Sequence, residues 1–211
     1  MDMNPYSVTI SHQLGSGGAY LGEKLAVRLG IPFIDRGILE EVARQMNLAE
    51  TELEDREERL SSFWQSFTRL AILTDPAMSL AAEHYIPSDS DLFKLECDTI
   101  QRIAEKSSAI FLGRCGYHVL RNHPRRVSIL VIAEQPDRIK RLHELYQLSK
   151  AEAVDLIKTN DQERAAYIQT LAKQNWLDVR HYDLCVNTSS VGWDCAVDLA
   201  EKCVRAKLHV D

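Results

Sequence analysis

A chain of 211 residues with 45% hydrophobic and 27% charged side chains fits one α/β domain with an insertion or lid, long enough to bury a core without cross-links. Its net charge of −6 argues against a nucleic-acid binder working through bulk charge. No apolar run approaches the roughly 18 residues that a membrane span needs, so no membrane partner is expected. The five cysteines (Cys97, Cys115, Cys185, Cys195 and Cys203) are odd in number and form no C-x-x-C pair. They read as reduced thiols of a cytoplasmic protein, four of them as small core residues.

Residues 6–11 read as a buried strand, followed by a glycine turn and a helix over about 16–29. On that helix Leu21, Leu25 and Leu29 recur at one face, and Gly30 stops it. Residues 31–34 are a second short strand, after which Asp35-Arg36-Gly37 turns into another helix. The stretch 36–90 reads as a helical insertion, dense in charge at first and then carrying Phe63, Trp64 and Phe67 at helical spacing. That aromatic stripe is expected to be the insertion's own core. A helix over 91–105 leads to apolar strands at 109–112, 127–133 and 184–186. Between the last two, Ser149-Lys150-Ala151-Glu152 has capping-box spacing and opens a long helix. Continuous apolar strands alternating with helices predict a five-stranded parallel sheet covered on both faces, a doubly wound α/β domain.

In such sheets ligands lie outside the carboxyl ends of the strands. The first strand ends in Gln13-Leu14-Gly15-Ser16-Gly17-Gly18-Ala19. A glycine turn between strand and helix aims backbone N–H groups and a positive helix end at a phosphate. A full phosphate loop reads G-x-x-x-x-G-K-[ST]. Here Gly18 stands where the lysine belongs and Ala19 where the hydroxyl belongs, so a lysine returned to position 18 is expected to raise affinity for ATP. Asp35 and Arg36 follow the second strand, and Arg114 follows the third through Gly113. A guanidinium there suits a phosphate or carboxylate, against the plainer reading of a structural ion pair.

Along the helix opened by Ser149, Lys158, Asp161, Arg164 and Tyr167 are each three residues apart and are expected near one face. Such a face either supplies cations to a transferring phosphoryl group or is solvated by its own ion pairs. Arg121, Arg125 and Arg126, with His118 and His123 nearby, are expected to face solvent. No metal-ligand spacing and no nucleophile motif supports a zinc-enzyme or hydrolase reading.

Several segments together carry a family likeness. They are Thr9-Ile10-Ser11 leading into Gly15-Ser16-Gly17-Gly18, then Leu29-Gly30-Ile31-Pro32-Phe33-Ile34-Asp35, Leu112-Gly113-Arg114-Cys115, and Arg164-Ala165-Ala166-Tyr167 with Trp176. Tyr182-Asp183-Leu184-Cys185-Val186-Asn187-Thr188 closes the series. Over about residues 6–205 the chain resembles the cytidylate kinase-like family of P-loop proteins, relatives of the nucleoside monophosphate kinases. The resemblance implies a single P-loop kinase-like domain over 1–211, with an acceptor-binding insertion at 36–90 and a lid at 147–180. It implies ATP and Mg2+ as cofactors, held at residues 13–19, and nucleotides as substrates. Arg114, Lys158 and Arg164 would then be catalytic, and Asp35, Arg36, Arg114 and Asp161 would bind the acceptor. The implied reaction moves the γ-phosphoryl of ATP to a nucleoside monophosphate, with CMP the name-giving acceptor; homo-oligomers are compatible with it. Members usually show Ser-Arg-Glu before the loop and an arginine after the paired glycines. This sequence has Ser11-His12-Gln13 and Ala19 instead. The alternative is therefore a catalytically degenerate nucleotide-binding or protein-interaction member of the same fold.

Overall fold

The computed structural model describes residues 4–35, 37 and 90–210. Arg36 and nearly all of the expected insertion, with its aromatic stripe, lie outside the described residues. Within them the chain runs β1 (Ser7–His12), α1 (Gly18–Leu29), β2 (Phe33–Ile34), α2 (Ser90–Lys106), β3 (Ala109–Leu112) and α3 (Gly116–Val119). It continues through β4 (Arg126–Ile132), α4 (Gln135–Tyr146), α5 (Lys150–Ala172), a 3-10 turn (Val179–His181), β5 (Leu184–Asn187), α6 (Thr188–Val191) and α7 (Trp193–Leu208).

The five strands form one parallel sheet in the order β2-β3-β1-β4-β5, as the apolar runs predict. Register is set by pairs such as Val8 with Ile110 on one side and Val8 with Val127 on the other. β1 is the central strand and every one of its residues is buried. Its even positions, Val8 and Ile10, join Leu21 and Leu25 of α1 and Val197, Ala200 and Val204 of α7 in one core layer. On the opposite face Ile34 and Phe111 of the sheet pack against Ile100 and Ile103 of α2. Among the buried polar side chains at the odd positions of β1, Thr9 Oγ1 donates across the sheet to Ser128 Oγ at 2.9 Å.

α5 opens with the expected capping box: Ser149 Oγ accepts from the Glu152 N–H, and a Glu152 carboxylate oxygen accepts from the Ser149 N–H. The arginine cluster departs from expectation. Arg126 Nη1 donates to the Tyr117 carbonyl at 2.9 Å and Arg125 Nη2 to the Leu208 carbonyl at 3.3 Å, both half-buried. Arg121 alone is exposed, and it still donates to the His118 carbonyl. The Arg125 and Arg126 guanidiniums thus bond carbonyls at the end of α7 and in α3 instead of pointing into solvent. The cysteines depart too, for only Cys115 is fully buried while Cys185 and Cys195 are exposed. Cys185 sits on the edge strand β5 and Cys195 on the first turn of α7, where the core covers one side alone. Burial pushes the Cys97 and Cys115 thiols up to about 12, which keeps them protonated and inert.

Asp183 extends the β4–β5 ladder with its side chain. Its carboxylate accepts the Ser128 N–H at 2.8 Å, its own N–H donates to the Ser128 carbonyl at 2.8 Å, and Lys207 Nζ lies 2.7 Å from the other oxygen. Removing the carboxylate strands a buried N–H, whereas removing Lys207 costs a half-exposed ion pair. Asp183→Ala should lower unfolding free energy by about 1–3 kcal/mol and Lys207→Ala by about 1 kcal/mol or less. Urea denaturation of the two variants checks the difference.

Candidate functional site

The connections leaving β1 and β4 depart toward opposite edges of the sheet, since β1 leads to β2 and β4 to β5. The crevice outside these two strand ends is the position where open α/β sheets bind ligands. The 13–19 loop spans it. Gly15 and Gly17 have φ of 78° and 85°, a left-handed backbone that side chains with a Cβ adopt poorly. Gly17 caps α1, whose opening N–H groups therefore gather at the loop mouth.

The loop's own polar groups are tied from several elements. The Ser16 N–H donates to the Gln13 carbonyl at 3.1 Å, and Ser16 Oγ donates to the Val131 carbonyl of β4 at 3.1 Å. Thr188 Oγ1, after β5, donates to the Ser16 carbonyl at 2.8 Å. Gln13 accepts the Ala133 N–H through its side chain at 3.3 Å. Arg138 of α4 completes the set: Nε donates to the Leu14 carbonyl at 2.7 Å while Nη1 and Nη2 hold Asp161 at 2.9 and 2.8 Å. Its side chain is only 5% exposed. The loop is thus held open in shape by side-chain bonds made from behind it.

Beside the loop lies a cleft of about 280 Å³, lined by Gly15, Asp137, Arg141, Thr188, Ser189 and Trp193 among others. Arg141 covers the Trp193 ring at 3.7 Å, and Tyr20 meets the same ring at 5.1 Å. A flat, cation-covered aromatic wall of this kind suits a planar ligand group.

The other expected residues fall into separate environments. Arg114, just beyond β3 in a left-handed backbone (φ 49°), has a side chain only 7% exposed, ion-paired with the fully buried Glu96 of α2. Its guanidinium lies 5.9 Å from the Tyr167 ring centroid. Burial raises the Tyr167 phenol well above its ordinary value, so it is neutral and able to donate. Arg164 lies over the buried Trp176 at 5.5 Å. Asp35 is buried at the end of β2, and Lys158 is exposed. The expectation of a single lid face therefore needs correcting. Three steps of three residues turn a helix through about 180° at 100° per residue, which places Tyr167 inward and Lys158 outward. Asp161, between them, is engaged with Arg138.

Sequence reasoning passed over Glu96, Arg138, Arg141 and Trp193. One of them left a readable signal: Glu96 stands four and seven residues before Ile100 and Ile103, on the apolar stripe of α2, where an isolated carboxylate demands a partner.

Residues 7–190 match the cytidylate kinase-like family, and the chain belongs to that family. Among solved structures it is similar to a protein described as uncharacterized from Eubacterium ventriosum, with 22% identity and a TM-score of 0.71, covering 96% of this chain and 99% of that one. It is also similar to shikimate kinase from Bacteroides thetaiotaomicron, at 11% identity and a TM-score of 0.50, covering 93% and 97%. At these identities the likeness is one of fold, that of P-loop kinases. No curated protein matches the chain. Among the described residues no helix is long and apolar enough to cross a membrane.

The Arg138–Asp161 pair is the testable hinge of this site. Asp161→Asn removes the charge and one of the two acceptor oxygens facing a buried guanidinium, while Lys158→Ala removes an exposed cation. Thermal or chemical denaturation should show a loss of about 1–3 kcal/mol for Asp161→Asn and a change within about 0.5 kcal/mol for Lys158→Ala.

Proposed function

We propose that the protein is a nucleoside monophosphate kinase of the cytidylate type, with ATP as phosphoryl donor and a CMP-type acceptor. The observation that carries this reading is the glycine loop, built in left-handed backbone at the sheet's switch point and braced by Arg138, Ser16 and Thr188. Residues 13–19 would wrap the phosphates, and the cleft beside Trp193 and Arg141 would take the base. The acceptor would lie on the other side of the loop, toward Asp35, Arg36 and Arg114, with Asp161 acting through Arg138 and Arg164 and Lys158 closing from α5. We further propose the 1–211 span as one domain with its insertion at 36–90 and lid at 147–180, working in the cytoplasm without nucleic-acid partners.

The chemistry asks little covalent work of the chain. An oxygen of the acceptor's phosphate attacks the γ-phosphorus of ATP, the bond from that phosphorus to the β–γ bridging oxygen breaks, and ADP leaves with the electron pair. A monophosphate dianion needs no proton removed, so positioning and charge neutralisation carry the rate. Glu96 fixes the direction of Arg114, whose planar fork can present further N–H donors to the acceptor phosphate. The described residues gather no group of three His, Cys, Asp or Glu side chains able to hold a metal, and Ala19 has no hydroxyl to offer one. The loop therefore does not fit a resident magnesium site, and magnesium would enter on the nucleotide's phosphates.

A coupled assay with ATP and CMP, dCMP, UMP or AMP should show turnover, fastest with a cytidine acceptor. Arg114→Lys, which keeps the charge and loses the fork, should lower kcat/KM by about 10²-fold. Gly18 and Ala19 favour a second reading, a nucleotide-binding member without turnover. ATP binding with no turnover on any acceptor would establish that reading in place of the first.

A further inference from the structure

Positions 12 and 18 share one volume. His12 ends β1 and follows Val8 and Ile10 in the alternation of the strand, so it belongs to the face covered by α1. Gly18 is the first residue of α1. A Cβ built on Gly18 would lie 2.6 Å from His12 Cγ and 3.1 Å from its Cδ2. The obstruction is the root of the imidazole rather than a flexible tip, so it cannot simply swing aside. Only one of the two positions can send a side chain through this space. His12 holds it and is 4% exposed.

In the full phosphate-loop motif the side chain that starts here is the lysine reaching the β- and γ-phosphates. We propose that His12 takes over that contact, donating from the strand what the motif donates from the helix, and that the glycine at 18 is the consequence of this exchange. The absence of a lysine at 18 is then a relocation of the donor and not its loss. An imidazole N–H donates to a phosphate oxygen, and in its protonated form it also carries the positive charge. The assignment rests on the phosphate-loop reading given above, and it corrects the expectation that lysine at position 18 alone raises ATP affinity.

The test compares wild type, His12→Ala, Gly18→Lys and the double variant His12→Ala/Gly18→Lys by calorimetric titration with ATP, inorganic tripolyphosphate and adenosine. His12→Ala should weaken ATP and tripolyphosphate by about 10–100-fold while leaving adenosine unchanged. Gly18→Lys alone should melt at lower temperature and bind worse than wild type, and the double variant should recover most of the lost phosphate affinity. His12→Ala binding ATP as wild type does, or losing ATP and adenosine to the same degree, would overturn the assignment and leave the phosphate-loop reading standing. Wild-type protein that binds neither ATP nor tripolyphosphate would overturn that reading and the assignment with it. Gly18→Ala checks the shared volume without any ligand. It should lower the melting temperature of wild type but not of the His12→Ala protein, and equal effects in both would overturn the geometric premise.

Discussion

One buried guanidinium holds the candidate site together. Arg138 is removed from water, and a cation there costs several kcal/mol unless its donors are paired. The fold pairs them with the Leu14 carbonyl inside the loop and with both oxygens of Asp161 on α5. The loop, the helix after β4 and the long helix that follows are consequently parts of one unit. A shift of the loop against α4 would break the buried bond from Arg138 to the Leu14 carbonyl, and a shift of α5 would break both bonds to Asp161. That constraint explains how a loop containing Gly15 and Gly17, residues with the least conformational preference, keeps a defined shape.

A second buried pair, Glu96 with Arg114, does on the β3 side what Arg138 does on the β4 side. Both use a carboxylate from a helix to orient an arginine near a strand end. Their surroundings differ. Asp161 keeps a 30% exposed side chain, so water reaches its bond to Arg138. Glu96 is fully buried, and its hold on Arg114 is the stiffer of the two. The two arginines are thus held unequally, one by a carboxylate removed from water and one by a carboxylate that water reaches.

The strands and the loop were legible because their signals are local. The short apolar runs at 6–11 and 109–112 declare buried strands by their length and the glycines that follow them, and Gly15-Ser16-Gly17 after a strand declares a phosphate loop. Arg138 was not legible, since its partner Leu14 is 124 residues away and nothing on α4 marks that arginine from its neighbours Lys140 and Arg141. Arg125 and Arg126 misled for the same reason: their carbonyl partners are defined by where the chain turns and ends its helices, which charge composition does not encode. Lys158 and Tyr167 misled through arithmetic. A spacing of three approximates one helical turn once, and the error grows with each repetition.

The same distinction explains why the loop looks deficient as a string and not as a structure. A motif fixes residue types at sequence positions, yet a phosphate responds to where donors stand in space. β1 and α1 approach each other closely enough at the loop that a side chain from 12 and one from 18 compete for the same place. Once the strand carries the side chain, steric exclusion alone demands glycine on the helix, and the motif is lost without the volume being vacated. Departures at positions 12 and 18 are therefore one coupled change. The change at Ala19 is separate: it removes the hydroxyl of the full motif, which a histidine on the strand does not return.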